Sequence, residues 1–184
     1  MLFSCNQSVD YASLENNIKE IIKSEKGKFA IAFKNLEDGK EILINENEQF
    51  HAASTMKTPV MIEAFKKSFE NEISLDDTIL VKNEFKSIVD GSLFKLSSFD
   101  DSDKKTYEKI GGYLSLRELI YDMITISSNF ATNLVIDYIG HEDINKTMRD
   151  LGAKYINVLR GVEDIKAFNV GLSNTTTALD LLKI

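Results

Sequence analysis

The run Phe50-His51-Ala52-Ala53-Ser54-Thr55-Met56-Lys57-Thr58-Pro59-Val60-Met61-Ile62-Glu63-Ala64-Phe65 decides how the rest of this 184-residue chain is read. A serine and a lysine three positions apart share one face of a helical turn, which brings the Lys57 side chain within hydrogen-bond reach of the Ser54 hydroxyl. That sets a nucleophile beside a candidate base. The spacing recurs from Ser92 to Lys95 and from Ser102 to Lys105, where neighbouring Gly, Asp and Ser make solvated loop the plainer reading. Only the copy at Ser54 leads into a long apolar segment, Val60, Met61, Ile62, Ala64, Phe65 and Phe69, expected to bury one helix face and hold the turn rigid. Pro59 lacks an N–H and suits a helix start, so the Ser54 turn should open the helix. Two readings of Ser54 stand: a nucleophile, or the N-cap hydroxyl that serine commonly supplies before an apolar run.

Upstream, Tyr11, Leu14, Ile18, Ile21 and Ile22 have helical spacing and Gly27 supplies a stop, so an amphipathic helix is expected over 11–26. Phe29, Ile31 and Phe33 alternate with small residues, Asp38-Gly39 offers a tight turn, and an apolar run resumes at 42–44; together these predict a hairpin. Downstream, residues 74–112 are turn and loop chemistry around short apolar pieces, suited to a rim over a site. Ser115 and Glu118 form a capping box, and Leu116, Leu119, Ile120, Met123 and Ile124 give the buried face of the helix it starts.

A polar run, Thr125 to Asn129, then breaks the pattern before Ala131, Leu134, Val135, Ile136 and Ile139 begin another helix that Gly140 stops. Ser127, Ser128 and Asn129 would be buried polar groups there, so either they satisfy one another at a helix junction or they face a cavity. Ile144, Met148 and Leu151 mark a further helix closed by Gly152, and 155–159 reads as extended. Residues 160–174 carry Arg160, Glu163, Asp164, Lys166 and Asn169 in a loop long enough to be functional. Thr175, Thr176 and Thr177 are expected to cap a last helix whose apolar pattern runs on to Ile184, as in a helix cut short.

Composition narrows the function classes. Hydrophobic residues at 43%, charged residues at 28% and a single Pro describe a folded chain rather than a disordered or low-complexity one. A net charge of -7 with no basic run argues against nucleic acid as a partner. One cysteine, Cys5, excludes an internal disulfide and a thiolate zinc cluster. His51 and His141 stand alone and the acids show no ligand spacing, so no metal or other cofactor is expected. Leu2-Phe3-Ser4-Cys5 resembles a lipoprotein lipobox, although a charged start and apolar core are missing ahead of it. Residues 1–10 are accordingly read as a tether, with Cys5 as a candidate lipid anchor; the plainer reading is a buried or frayed thiol.

Taken together, these motifs resemble the class A β-lactamase family and its serine-hydrolase relatives, which share fold elements with penicillin-binding proteins. Ser54-Thr55-Met56-Lys57 is similar to the Ser-x-x-Lys turn, Ser127-Ser128-Asn129 to the Ser-Asp-Asn loop, and 175–182 to the Thr-rich helix start after the omega loop. Segments 85–93 and 161–167 also look like members of this family. The resemblance implies an α/β fold of α+β type: a mostly helical subdomain with part of an antiparallel sheet, residues 11–184 being an incomplete hydrolase domain. It implies that Ser54 attacks a β-lactam carbonyl, Lys57 manages its proton, Ser127 passes a proton to the departing nitrogen and Asn129 holds the substrate amide. It also implies a monomer acting on a β-lactam or peptidoglycan-like substrate in the periplasm, or anchored to a membrane there, in the setting of antibiotic resistance.

This chain departs from the family pattern in three places. Ser128 stands where an aspartate is usual. Counting back from Phe168-Asn169 puts Ile165 where the omega loop carries its glutamate, leaving Glu163 and Asp164 as out-of-register candidates for the deacylation base. The Lys-Thr-Gly strand, and strands to complete the hairpin's sheet, are expected beyond Ile184. Three functions are therefore weighed: a β-lactam hydrolase, a penicillin-binding or D-alanyl peptidase-like protein with slow deacylation, and a non-catalytic β-lactam sensor.

Overall fold

Asp10 accepts the N–H groups of Ala12 and Ser13 and so caps α1, Tyr11–Ser24, at the start of the residues that the computed structural model describes, 10–184. Cys5 and the rest of the proposed tether before Asp10 lie outside them. The helix forms where its spacing predicts, yet none of its residues is buried. The expected hairpin follows as β1, Ile31–Lys34, and β2, Glu41–Ile44, paired antiparallel with Ile31 opposite Ile44 and Phe33 opposite Ile42. Ile42 and Ile44 point inward and are buried. A short strand β3, Phe50–His51, leads into a 3₁₀ turn, Ala53–Met56, and then α2, Lys57–Phe69.

Residues 70–115 form a rim of short pieces: β4, Thr78–Leu80; β5, Phe85–Lys86; β6, Leu93–Phe94; α3, Lys105–Glu108; and β7, Tyr113–Ser115. Pairing of β4 with β7 and of β5 with β6 organises it. The capping box at Ser115 and Glu118 forms as expected and starts α4, Leu116–Thr125. Next come α5, Asn129–Ile139, α6, His141–Asp150, the short α7, Ile165–Asn169, β8, Thr175–Thr176, and α8, Ala178–Lys183. The expected triple-threonine cap is thus divided: Thr175 and Thr176 are strand, and Thr177 alone caps α8 by accepting the Asp180 N–H.

At the centre is α5, where eight of eleven residues are buried, as for a helix enclosed on all sides. Met56, Val60 and Ala64 of the Ser54 turn and α2 meet Leu119 and Met123 of α4 and Phe130 and Leu134 of α5 in one core. Full burial of side chains such as these stabilises by about 1.5–3 kcal/mol each. The apolar face expected of α2 needs correction: Phe65 and Phe69 are 49% and 88% exposed, because the stripe that faces the core runs through Lys57, Val60 and Ala64. A lysine therefore occupies the first buried turn of the helix.

Candidate active site

Three elements bring the expected residues together. The pairing of β3 with β8, Phe50 opposite Thr176 and His51 opposite Thr175, ties the Ser54 turn to the end of the 160–174 loop. The Ala52 N–H reinforces this by donating to the Asn174 carbonyl at 2.9 Å. The junction of α4 and α5 supplies Ser127 and Asn129, which reach across from the opposite wall.

Ser54 is exposed and is not a helix N-cap; its Oγ lies 3.0 Å from the Oγ of Ser127. Lys57 is 3% exposed, and its Nζ donates to the Ser127 carbonyl at 2.6 Å, the Ser127 hydroxyl at 2.9 Å and Asn129 Oδ1 at 2.9 Å. The expected direct contact between Lys57 and Ser54 is thus replaced by one that passes through the Ser127 hydroxyl. Burial pushes the Lys57 amine down to about 8, while the charges of Asp101 and Glu163 pull it back up.

The polar run between α4 and α5 divides its labour. Asn129 lines the cleft and Ser127 meets Ser54, whereas Ser128 is fully buried and caps α5 by accepting the Ala131 N–H at 3.0 Å. The three do not satisfy one another as the first alternative had it: Ser128 is met by the backbone of α5, and Ser127 and Asn129 by Ser54, Lys57 and Glu163.

Glu163 enters the site although its register in the sequence argued otherwise. Its Oε1 accepts from the Asn129 amide at 3.0 Å, and burial, with repulsion from Asp101 and Asp100, pushes its carboxyl above the ordinary value against the pull of Asn129 and Lys57. Asp164 does not share the role: it is buried, caps α7 through the Ala167 N–H, and accepts from the Ser87 hydroxyl and the Ile88 N–H. Ile165, at the position the count had given to the glutamate, is 62% exposed.

The loop that carries Glu163 is pinned on several sides. Asn133 of α5 accepts the Val162 N–H at 2.6 Å and donates to the Val162 carbonyl, while Asn174 bonds the N–H groups of Leu159 and Arg160 and the Arg160 carbonyl. The Arg160 guanidinium, also buried, donates to the carbonyls of Leu172 and Gly161. The backbone pays locally for this placement: Ala53, Ser127 and Glu163 have φ of 45°, 58° and 63°, a region L-residues rarely adopt. Among the described residues the only other positive-φ side chains are Asn45 and Asn71, and asparagine tolerates that region.

Ser54, Asn129, Arg160, Glu163, His51 and Phe168 line a cleft of about 350 Å³. His51 bonds Ser173 at 2.6 Å and meets the Phe168 ring edge-on, a wall that sequence reasoning had not singled out. The other Ser-x-x-Lys copies are engaged elsewhere: Ser92 with Asp90 and Lys166, Ser102 with the Ile126 carbonyl. Among the described residues no group of three or more metal-ligating side chains comes together.

The beta-lactamase enzyme family matches residues 13–184 of this chain. Among solved structures, PBP-A is 24% identical with a TM-score of 0.75, covering 93% of this chain and 59% of its own. A beta-lactamase from Sphaerobacter thermophilus is 24% identical with a TM-score of 0.69, covering 94% and 60%. The TLA-3 extended-spectrum beta-lactamase is 25% identical with a TM-score of 0.72, covering 90% and 58%. A mutant of PBP-A was solved as its acyl-enzyme complex with penicillin G, and its fold matches with a TM-score of 0.76. The chain thus spans about three fifths of the length of these structures. Among curated proteins no sequence matches significantly.

Proposed function

The chain belongs to the beta-lactamase enzyme family, and from that premise we propose that it is a serine hydrolase acylated at Ser54 by β-lactams. The observation that carries this reading is the continuous path Ser54 Oγ, Ser127 Oγ, Lys57 Nζ, with successive separations of 3.0 and 2.9 Å. An amine with its pKa near 8 is neutral often enough at physiological pH to take a proton through one intervening hydroxyl.

In this mechanism Ser54 Oγ attacks the β-lactam carbonyl carbon, and its proton passes through Ser127 to Lys57. The ring C–N bond breaks, Ser127 delivers its proton to the departing nitrogen and takes back the one held by Lys57, and an ester on Ser54 remains. The Ser54 N–H helps to stabilise the oxyanion. Asn129 holds the substrate's side-chain amide. Glu163 removes a proton from the water that hydrolyses the ester, and Ser54 leaves with its proton restored.

Hydrolysis is favoured over the peptidase-like and sensor readings by Glu163, a carboxylate hydrogen-bonded to Asn129 and facing the cleft. The test is labelling by a fluorescent penicillin with a peptide map. Transient label on the Ser54 peptide supports a hydrolase, persistent label there a slow penicillin-binding protein, and no label, or label on another serine, overturns acylation at Ser54. A place at a bacterial membrane through lipid on Cys5 belongs to the same proposal, motivated by Leu2-Phe3-Ser4-Cys5 and checked by mass spectrometry of the N-terminal peptide from cells. Among the described residues no helix is long and apolar enough to cross a membrane.

A further inference from the structure

We propose that Asp101 is a positioning residue of this site, its carboxylate holding the start of α5 so that Asn129 and the Ser127 loop are presented to Lys57. The kinetic consequence rests on the acylation chemistry proposed above; the geometry does not.

Asp101 sits in the rim loop between β6 and α3 and is 5% exposed. Its Oδ1 accepts the N–H of Asn129 at 3.2 Å and of Asp103 at 3.1 Å. Its Oδ2 accepts the N–H of Phe130 at 2.8 Å and the Tyr107 hydroxyl at 3.2 Å. A helix leaves its first four N–H groups without partners in its own backbone. In α5 all four are met: Ser128 by the Asp122 carbonyl at 3.1 Å, Asn129 and Phe130 by Asp101, and Ala131 by the Ser128 hydroxyl, after which the helix's own ladder starts with the Thr132 N–H donating to the Ser128 carbonyl at 3.3 Å.

The division follows from Ser128. A serine hydroxyl caps one N–H here and brings no charge, so the two preceding N–H groups need an acceptor from outside the Ser127-Ser128-Asn129 run. Asp101 supplies it from 28 residues upstream, as a charge that a helix N-terminus favours. The same carboxylate gathers Asp103 and Tyr107, so the rim loop, α3 and the head of α5 meet at one buried group. Asp101 also acts on Lys57 through its charge: of the groups facing that amine, Asp101 and Glu163 are the two that hold its proton on, against burial. Ser127 and Asn129, the other neighbours of the amine, are uncharged.

Asp101→Asn keeps the shape, removes the charge and turns one acceptor into a donor. We expect three changes in that variant: a lower titration midpoint for Lys57, read by NMR at Nζ; faster amide exchange at Asn129 and Phe130; and a fall in the acylation plateau on the order of 10²-fold, as for sub-ångström to ångström misplacement of reacting groups. A plain helix cap would not move the Lys57 midpoint. Wild-type values for the midpoint and for Asn129 and Phe130 exchange would overturn the proposal. A wild-type protein that penicillin never labels overturns the acylation reading instead, and the titration and exchange still decide the role of Asp101. If Asp101→Asn does not fold, the unmutated protein decides: a through-hydrogen-bond coupling between the Phe130 amide nitrogen and the Asp101 carboxyl carbon supports the proposal, and its absence overturns it.

Discussion

Lys57 donates to the Ser127 hydroxyl at 2.9 Å, although 70 residues of sequence separate the two. The proposed base therefore meets the proposed nucleophile through a third residue. Ser127→Ala should lower acylation about as far as Lys57→Ala, by ~10²–10⁴-fold, whereas Lys95→Ala and Lys105→Ala should leave it unchanged. Labelling rates with a fluorescent penicillin measure this, and near-normal acylation of Ser127→Ala would show that Lys57 works on Ser54 directly.

Burial lowers the pH at which Lys57 gives up its proton. Acylation should rise with pH through a midpoint near 8 as Lys57 loses its proton. At pH 7 roughly a tenth of the molecules then hold a neutral amine. Stability should respond with a definite sign. Between about 8 and 10.5 the unfolded chain keeps the Lys57 proton and the folded chain has released it, so this group's contribution grows as pH rises through that window. Lys57→Met should flatten the rise; urea midpoints measured from pH 7 to 10 check it, and parallel curves for the two proteins would contradict the assignment.

Glu163→Gln should separate the two half-reactions. The amide keeps the bond to Asn129 within reach but cannot take a proton from water, so deacylation should slow by about 10²–10⁴-fold while acylation changes far less. Mass spectrometry of the protein after brief exposure to penicillin reads this directly: the acyl adduct should persist. Loss of adduct at the wild-type rate would assign the base elsewhere.

At Gly161 the loop bearing Glu163 leaves no room for a side chain against α5. A Cβ there would stand 2.7 Å from Asn133 Cγ, and Asn133 is 1% exposed and already bonded to Val162 on both sides. Gly161→Ala should cost about 1–3 kcal/mol, as overpacking does, and should slow deacylation by displacing Glu163. Thermal unfolding and adduct lifetime together test this; an unchanged melting temperature would mean that the loop yields without resistance.

The residues legible in the sequence were those whose signal is local. Ser54 and Lys57 lie within one turn, and Ser127 and Asn129 stood out as polar interruptions between apolar helices. Glu163 was harder, because counting along the loop assumes a constant length: the chain instead turns through a positive φ at Glu163 itself and begins α7 at Ile165. Asp101 left no trace, since an aspartate among Ser97 to Asp103 looks like solvated loop until α5 closes over it. Phe65 and Phe69 misled in the opposite direction, as hydrophobicity alone does not say which side of α2 meets a partner. The pairing of β3 with β8 involves two residues on each strand, too few for any alternation to register.

The wide spacing of the cleft's parts along the chain bears on how the molecule acquires its reactivity. Ser54 meets Ser127 across 73 residues, and Asn129 meets Glu163 across 34. Helices can grow in about a microsecond, but contacts of this range wait for the chain to close large loops. Reactivity toward penicillin should thus be the last property to return during refolding, after helical signal has recovered. A penicillin pulse given at successive delays would time the docking of the 160–174 loop and α5 onto α2, with the nucleophile serving as the molecule's own clock.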